Sequence, residues 1–476
     1  MPDTPRTSLK KDALGIPSLL FFVLSAQAPL TGIVGAAGLA IALGDGAGVP
    51  GAYLVVGLII VVFAIGFTTI ARHVDTRGGF FAIIRAGLGR RAGSGGSLLA
   101  LLSYNTVQCA MYGLFGVSLS GLVSRQLGVS TPWWLWVGLA IVLVWFLGSR
   151  KIELGARVLA VLVACEVLLL VVFAVAVLAT RGLSALDVPA SFSPAAVLAG
   201  APGIAIMFGI ASMFGFESTA IYSAEVKDAR RTVPRATYVA VVLIAAFLAL
   251  VTWMLITYYG AAHAQDAALT ALSSDPAVFA LTPLNDVLGT WAGTAADALL
   301  CTSLFAGILA FHNMVTRYFH AMAGGGIFPA RLERTNRHQA PAAASLTQSL
   351  LAAVAVAPFA ALGVNPIATL FSWFSGLAVG ALVVLYTLTS IAVVAYFRRN
   401  PAGANVWTGL VAPALATVLM LGVLVFVVGN FGVLTGGSAL TGWLLLASVP
   451  VVFVLGWTGA RRAKPAVTAV EVVEIA

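Results

Sequence analysis

The sequence predicts an all-α integral membrane protein with twelve transmembrane helices, two of them broken in mid-span. Three observations carry this. Of 476 residues, 60% are hydrophobic and only 9% charged, with a mean hydropathy of +1.02, far outside the range of soluble globular chains. At about 20 apolar residues per crossing, the spans run 15–43, 50–71, 97–123, 132–148, 156–179, 201–224, 236–259, 291–320, 343–361, 366–396, 407–429 and 439–459. With the N-terminus inside, all 26 lysines and arginines except Arg125 and Arg181 fall on cytoplasmic segments or cytoplasmic helix ends, the asymmetry expected of inner loops. The expected location is therefore the cytoplasmic membrane, multi-pass, with both termini inside and the lipid bilayer as surroundings.

The net charge of +9 does not point to nucleic acid, because the basic residues form short clusters between apolar spans rather than one contiguous face. Cys109, Cys165 and Cys301 lie inside spans without metal-ligand spacing, so neither disulfides nor a metal are expected, nor any other cofactor. The polar start, Met1 to Lys11, runs into a span too long for a cleavable signal.

In span 1 the run is Ser25-Ala26-Gln27-Ala28-Pro29-Leu30-Thr31. Pro29 removes a backbone donor and clashes with the preceding turn, so the helix kinks or unwinds there. In span 6, Met207 to Arg235 contains a second interruption near Gly215 and carries Glu217 into hydrophobic surroundings before leaving through a basic segment. A carboxylate at that depth costs roughly 2.5–3.5 kcal/mol, which makes it a functional candidate. Kinked but continuous helices are the plainer reading of either break alone. Two breaks at corresponding positions of two halves point instead to an inverted-repeat transporter site.

Between spans 2 and 3, Thr76 to Gly89 reads as an amphipathic, glycine-punctuated interfacial connector with basic anchors. On span 3, Asn105, Gln108, Cys109 and Tyr112 share one face, which belongs in the bundle interior as interhelical hydrogen bonds or as substrate contacts. Span 5 carries Glu166 nine residues beyond Arg157, roughly 13 Å along the axis and beyond easy snorkelling. Desolvation there disfavours the charged form, so Glu166 is a candidate proton carrier or a neutral acid bonded to a neighbouring helix. The stretch from Gly260 to Trp291, without lysine or arginine, has room for a short re-entrant or surface helix. His312 sits close to the inner end of span 8, where a structural role is favoured over a proton relay. Span 10 opens with Ser372-Trp373-Phe374-Ser375, aromatics for a cavity gate or an interfacial belt.

Three separated patterns resemble the amino acid–polyamine–organocation (APC) permeases. Gly215-Phe216-Glu217-Ser218 with Ala224-Glu225-Val226-Lys227 through Val233-Pro234-Arg235-Ala236 is similar to that family's "G-x-E-S/A" and "E-x-K-x-P-x-R-x-I/V-P-R-A" run, with Asp228-Ala229 where the first proline is expected. Gly78-Gly79-Phe80-Phe81 with Arg85-Ala86-Gly87-Leu88-Gly89 resembles its "G-G-x-aromatic…R-A-x-G" element. Asn313 and Arg317 with Met322-Ala323 and Gly326-Ile327-Phe328-Pro329 resemble its "N-x3-R…M-A-x-D-G-x-L/F-P". Order and spacing agree through span 10. The break in span 1 departs from the family's Gly-Ser-Gly-Ile-like type.

The resemblance implies a LeuT-like, five-plus-five inverted repeat with helices 1 and 6 discontinuous: a cytoplasmic tail 1–14, a first repeat 15–179, an external loop 180–200, a second repeat 201–396, two accessory helices 397–459 and a tail 460–476. It implies a secondary transporter, not an enzyme, carrying an amino acid by alternating access. In that reading Ala26, Gln27, Ala28, Pro29, Leu30 and Thr31 hold the substrate carboxylate. Phe214, Gly215, Phe216, Glu217 and Ser218 supply carbonyls and an aromatic lid for its amino group, with Asn105 or Gln108 lining the side-chain pocket. Glu166, where several proton-coupled relatives carry a lysine, and secondarily Glu217, are the proton-coupling candidates. Sodium-coupled cousins offer hydroxyls on helix 8 facing helix 1; the corresponding stretch is expected at Ala306-Gly307-Ile308-Leu309-Ala310, which makes protons the expected coupling ion. An amine or polyamine permease, with Glu217 binding the ammonium directly, or an amino acid/amine exchanger, is the alternative. A major-facilitator carrier is disfavoured because Arg72 to Gly79 lacks the G-x3-D-R-x-G-R arrangement.

Overall fold

The computed structural model describes residues 15–74, 79–150, 153–217, 219, 226, 228–274, 277–336, 338–435 and 438–460. Ser218, Arg77, Lys151, Lys227, Arg337 and both tails, which figured in the expectations above, lie outside the described residues. The described residues form an all-helical protein, and nine helices among them are long and apolar enough to cross a membrane. The expected spans 1, 4 and 6 are those not among them. Span 1 is divided by its break into shorter pieces, the described part of span 6 is the short helix Pro202–Ala211 with the turns that follow it, and span 4 is the 16-residue helix Trp133–Gly148.

The first span is α1 (Ile16–Gln27) followed by α2 (Pro29–Leu43). Between them Ala28 adopts φ 51°, a left-handed conformation that costs a side-chain-bearing residue roughly 1–2 kcal/mol. Its N–H still closes the last turn of α1 onto the Leu24 carbonyl at 3.0 Å, and Pro29 then starts α2 where no backbone donor is needed. A π-helical stretch, Gly32–Ala37, widens the next turn.

The chain continues through α3 (Val49–Ile70), α4 (Phe80–Leu88), α5 (Arg90–Leu127), α6 (Trp133–Gly148) and α7 (Glu153–Arg181). The short α8 (Pro202–Ala211) ends in turns through Ser212 to Glu217, and α9 (Ala229–Tyr259) leads to the loop helices α10 (Ala264–Ser274) and α11 (Val278–Leu288). Then come α12 (Thr290–Gly324), α13 (Ala342–Ala361), α14 (Ile367–Arg399), α15 (Trp407–Leu434) and α16 (Ala439–Gly459). The 38-residue α5 packs against α4, α6, α12, α14 and α16.

Helix α4 corrects the expectation of an interfacial connector. Phe80, Phe81, Ile83 and Ile84 are buried, and a Cβ on Gly87 would stand 2.0 Å from the Ala392 carbonyl oxygen. Only a glycine lets this segment press its backbone onto α14. The Phe81 N–H also donates to the Tyr318 hydroxyl at 3.3 Å, tying α4 to α12.

At the arginine-poor end, the turn after α2 is pinned to the start of α8 by a 3.1 Å bond from the Ala201 N–H to the Gly44 carbonyl. The next residue, Asp45, is only 6% exposed, and neither of its carboxylate oxygens has a hydrogen-bond partner among the described residues. Burial pushes its carboxyl up from 3.8 to about 8, its own backbone N–H offsetting only part of the shift. The folded state therefore holds a proton that the unfolded chain releases, so stability is full at low pH and is lost as pH rises through that interval. Asp45→Asn is expected to raise the melting temperature in detergent by several degrees at pH 8 and to change little near pH 4. Equal stability of the two proteins at pH 8 would rule this out.

Candidate functional site

The two broken helices meet around a small cavity of about 50 Å³, room for a few waters. Its polar lining comes from Gln27 and Thr31 at the first break, Ser212 at the second and Ser375 on α14. Its apolar lining includes Val107 and Met111 of α5, Phe208 and Phe214, Phe311 of α12 and Phe371 of α14. Gln27 Nε2 and Thr31 Oγ1 are buried without a hydrogen-bond partner among the described residues. In a membrane interior such atoms are costly unless something satisfies them. Gly32 gives them room: a Cβ there would lie 3.0 Å from Gln27 Nε2 and 3.8 Å from Ser212 Oγ.

The second break turns on Gly215, whose φ of 106° is one that side-chain-bearing residues rarely adopt. Its N–H donates to Glu217 Oε2 at 3.1 Å, so the carboxylate folds back onto the unwound turn. The Tyr386 hydroxyl donates to the same oxygen at 3.4 Å, and Tyr104 of α5 also faces the carboxylate. Phe63, Phe67, Phe216 and Tyr386 enclose the group, with Phe63 and Tyr386 stacked at 4.5 Å. Glu217 therefore organises the break and does not line the cavity. Phe216 belongs to this aromatic cluster; Phe214, packed against Phe311 at 6.1 Å, is the ring that reaches the cavity.

Glu166, fully buried on α7, joins three elements. Its Oε2 accepts from the Ser303 hydroxyl of α12 at 2.6 Å and from the Leu30 N–H at 3.5 Å, while Oε1 has no partner. Leu30 thus spends its backbone donor on Glu166 rather than facing the cavity. Ser303 corrects the expectation of an apolar stretch at Ala306 to Ala310: a hydroxyl from this helix does face the first break, one turn earlier. The register of α12 is set by Gly307, where a Cβ would stand 2.2 Å from the Met111 methyl and 3.4 Å from the Ala28 Cβ. The side chain of Ala26 lies outside the described residues, and Ala28 and Pro29 contribute backbone geometry.

Asn105 and Gln108 resolve toward interhelical bonding. Gln348 Nε2 of α13 donates to Asn105 Oδ1 at 2.9 Å and to Gln108 Oε1 at 2.5 Å, and Gln108 Nε2 donates to the Ile308 carbonyl at 3.0 Å. Neither residue is among those lining the cavity. Gln348→Leu would strand both amide acceptors at a cost of about 1 kcal/mol; the expected result is a melting temperature lower by a few degrees with an unchanged KM. A raised KM would instead put these residues in the site. His312 is likewise structural: its Nε2 pairs with Ser345 Oγ at 2.8 Å, and a Cβ on Gly148 would stand 2.7 Å from its ring.

A second cavity of about 70 Å³ lies toward the arginine-poor end. It is lined by α2, α5, α12 and the start of α14, and Phe371 borders both chambers. Arg125 and Asp297 meet across it at 2.6 Å. Trp373 and Phe374, the aromatics singled out from sequence, pack instead on Phe359.

A family model described as amino acid permease matches residues 14–455. No curated protein matches in sequence. Among solved structures, the chain is similar to a manganese transporter of Eremococcus coleocola in complex with an aromatic bis-isothiourea substituted compound, at 15% identity and a TM-score of 0.58, covering 97% of this chain and 99% of that one. It is also similar to MhsT in complex with L-phenylalanine, at 16% identity and a TM-score of 0.53, covering 95% of this chain and 100% of that one. At these identities the likeness concerns the fold.

Proposed function

Because the chain belongs to the amino acid permease family, we propose that it is a secondary transporter carrying a neutral, apolar L-amino acid across the cytoplasmic membrane, coupled to protons. The observation that carries this reading is the pair of unpartnered polar atoms, Gln27 Nε2 and Thr31 Oγ1, in an otherwise largely aromatic and aliphatic cavity between two broken helices. Both atoms can donate, and a substrate carboxylate accepts from them. The C-terminal end of α8 turns its carbonyls and the negative end of its dipole toward the ammonium. Val107, Met111, Phe208 and Phe311 surround the substrate side chain. The cavity is smaller than an amino acid, so loading requires the helices around it to move apart, as alternating access demands.

In this reading the arginine-rich face is cytoplasmic, residues 15–179 and 201–396 are the two inverted repeats, and residues 397–459 are accessory. Glu166 is the proton carrier because, of Glu166 and Glu217, it is the one that touches the backbone of the first break. The amine reading is less well supported: it needs Glu217 at the ammonium, and that carboxylate is engaged by Gly215 and Tyr386.

The test is uptake of radiolabelled L-leucine and L-phenylalanine into proteoliposomes with an inward proton gradient. Competition by isoamylamine and phenethylamine supplies the other arm. Uptake above empty liposomes, inhibited by amino acids and untouched by the amines, is expected. Transport of the amines with none of the amino acids would replace this reading with the alternative.

A further inference from the structure

We propose that Asp45 is a proton-binding site that governs closure at the arginine-poor end: with its proton the carboxyl rests in a dry seam, and without it water enters and the seam parts. The inference rests on the transporter reading above, whichever solute is carried. The turn from Gly44 to Gly51 is where this end of the protein is drawn together. Its backbone presses directly onto residues 191–201, the segment that leads into α8. A Cβ on Gly48 would stand 2.2 Å from the Ala196 carbonyl oxygen, one on Gly51 2.7 Å from that of Ser191, and one on Gly200 2.5 Å from that of Gly44. The loop helix α10 leans on the same region, Gln265 Nε2 donating to the Ala42 carbonyl at 3.3 Å. Both broken spans and a loop helix therefore meet at one point.

Asp45 stands inside this contact, and its carboxylate has no hydrogen-bond partner among the described residues. Residues 188–211 carry no ionisable side chain, and Gln265 is the residue of α10 that meets the turn, while its neighbours His263 and Asp266 are exposed. Tyr53 of α3 is the titratable group within electrostatic reach. None of these offsets a negative charge, so an ionised Asp45 is stable only in water. Water reaches it when the turn comes away from its neighbours. Burial holds the carboxyl at about 8 in the closed arrangement, against 3.8 ordinarily. Opening thus releases a proton between those values: acid favours closure, rising pH favours opening, and the effect levels off above about 8. Tyr53 joins the seam to the central cavity. Ser212 donates its own proton to the Phe208 carbonyl at 2.8 Å, so the Tyr53 hydroxyl is the donor in its 3.5 Å contact with Ser212 Oγ on the cavity wall.

Ser191→Cys and Val197→Cys each place a thiol in the seam, where both native side chains are buried. The full chain is reconstituted in proteoliposomes with the interior buffered near neutrality. Its reaction with a membrane-impermeant maleimide is followed site by site, by peptide mass spectrometry, as external pH is raised. Each rate is divided by that of the denatured protein at the same pH, which removes the thiol's own titration. The normalised seam rate is expected to rise about tenfold or more between about pH 5.5 and about pH 8, and to stay within about twofold over that range when Asp45→Asn is added. Either thiol reads the seam if the other variant does not fold, and Asp45→Ser, equally uncharged, serves if the asparagine variant is not recovered. A flat rate with Asp45 present, or an equal rise without it, overturns the proposal. So does reaction of Cys109 and Cys301, buried in the bundle, in step with the seam, since the whole protein would then be unfolding. No solute is added, so the outcome is separable from the amino acid reading. Flat labelling beside intact L-leucine uptake removes this site alone, and labelling that follows Asp45 in a protein that carries no amino acid keeps the site and removes that reading.

Discussion

Glu166→Gln is expected to cut gradient-driven L-leucine uptake about tenfold or more while exchange of internal for external leucine stays within about twofold of the unaltered protein. Glutamine keeps the shape of the side chain, and its carbonyl still accepts from Ser303 and the Leu30 N–H, so the break in the first span stays closed. What it loses is the ability to take up and release a proton at the point where α7, α12 and the left-handed turn at Ala28 meet. Exchange needs the helices to move with substrate on board, not with a proton, and so survives. Ser303→Ala is expected to show a weaker version of the same split, because one of the two donors to Oε2 remains. Gradient-driven uptake at full rate in Glu166→Gln would show that another group carries the proton.

The second large effect is expected at the first break. Gln27→Leu and Thr31→Val should each raise the KM for L-leucine about tenfold or more, the loss of a hydrogen bond to a charged carboxylate being worth roughly 1.5–3 kcal/mol. The melting temperature of the substrate-free protein should not fall, and this distinguishes the prediction from ordinary damage. Removing a buried donor usually strands its partner, but neither atom has one among the described residues. Replacing it by an apolar group of similar size relieves an unsatisfied atom and strands nothing. A lowered melting temperature with an unchanged KM would assign both residues to the scaffold.

The sequence was most informative where a feature depends on one residue's own chemistry. Pro29 announced the first break and Gly215 the second, because no neighbour is needed to know what a missing N–H or a missing Cβ permits. Hydropathy located the spans but not their ends: α5 begins at Arg90, not at 97, because Ala92 to Ser97, small and partly polar rather than strongly apolar, are buried against neighbouring helices, with Gly95 on Phe453 and Gly96 on Ile84. What was not legible depended on partners far away in the chain. Asn105 and Gln108 form a polar stripe whose spacing is the same whether it grips a substrate or another helix, and only Gln348 decides between them. Ser303 was missed because the rotation of α12 against the first break follows from the close approach of Gly307 to Met111, a contact between distant segments. The same holds for Phe371: three aromatics crowd the start of α14, and which one reaches the cavities depends on the π-helical turn Ile367–Phe371, which shifts the face they present.

That ring has an electrical consequence. With a chamber on either side, and the upper one bordered by the part-exposed Arg125, Phe371 is a thin insulating layer between them. Membrane voltage drops most steeply across such a layer, and a unit charge crossing the full potential gains or loses about 2.3 kcal/mol per 100 mV. A zwitterion carries both its charges past the ring together and does no net electrical work there, whereas a decarboxylated amine would pay or collect its share of the field. In the reading proposed above, amino acid passage at this step is electrically silent, and any current that accompanies transport is left to the proton.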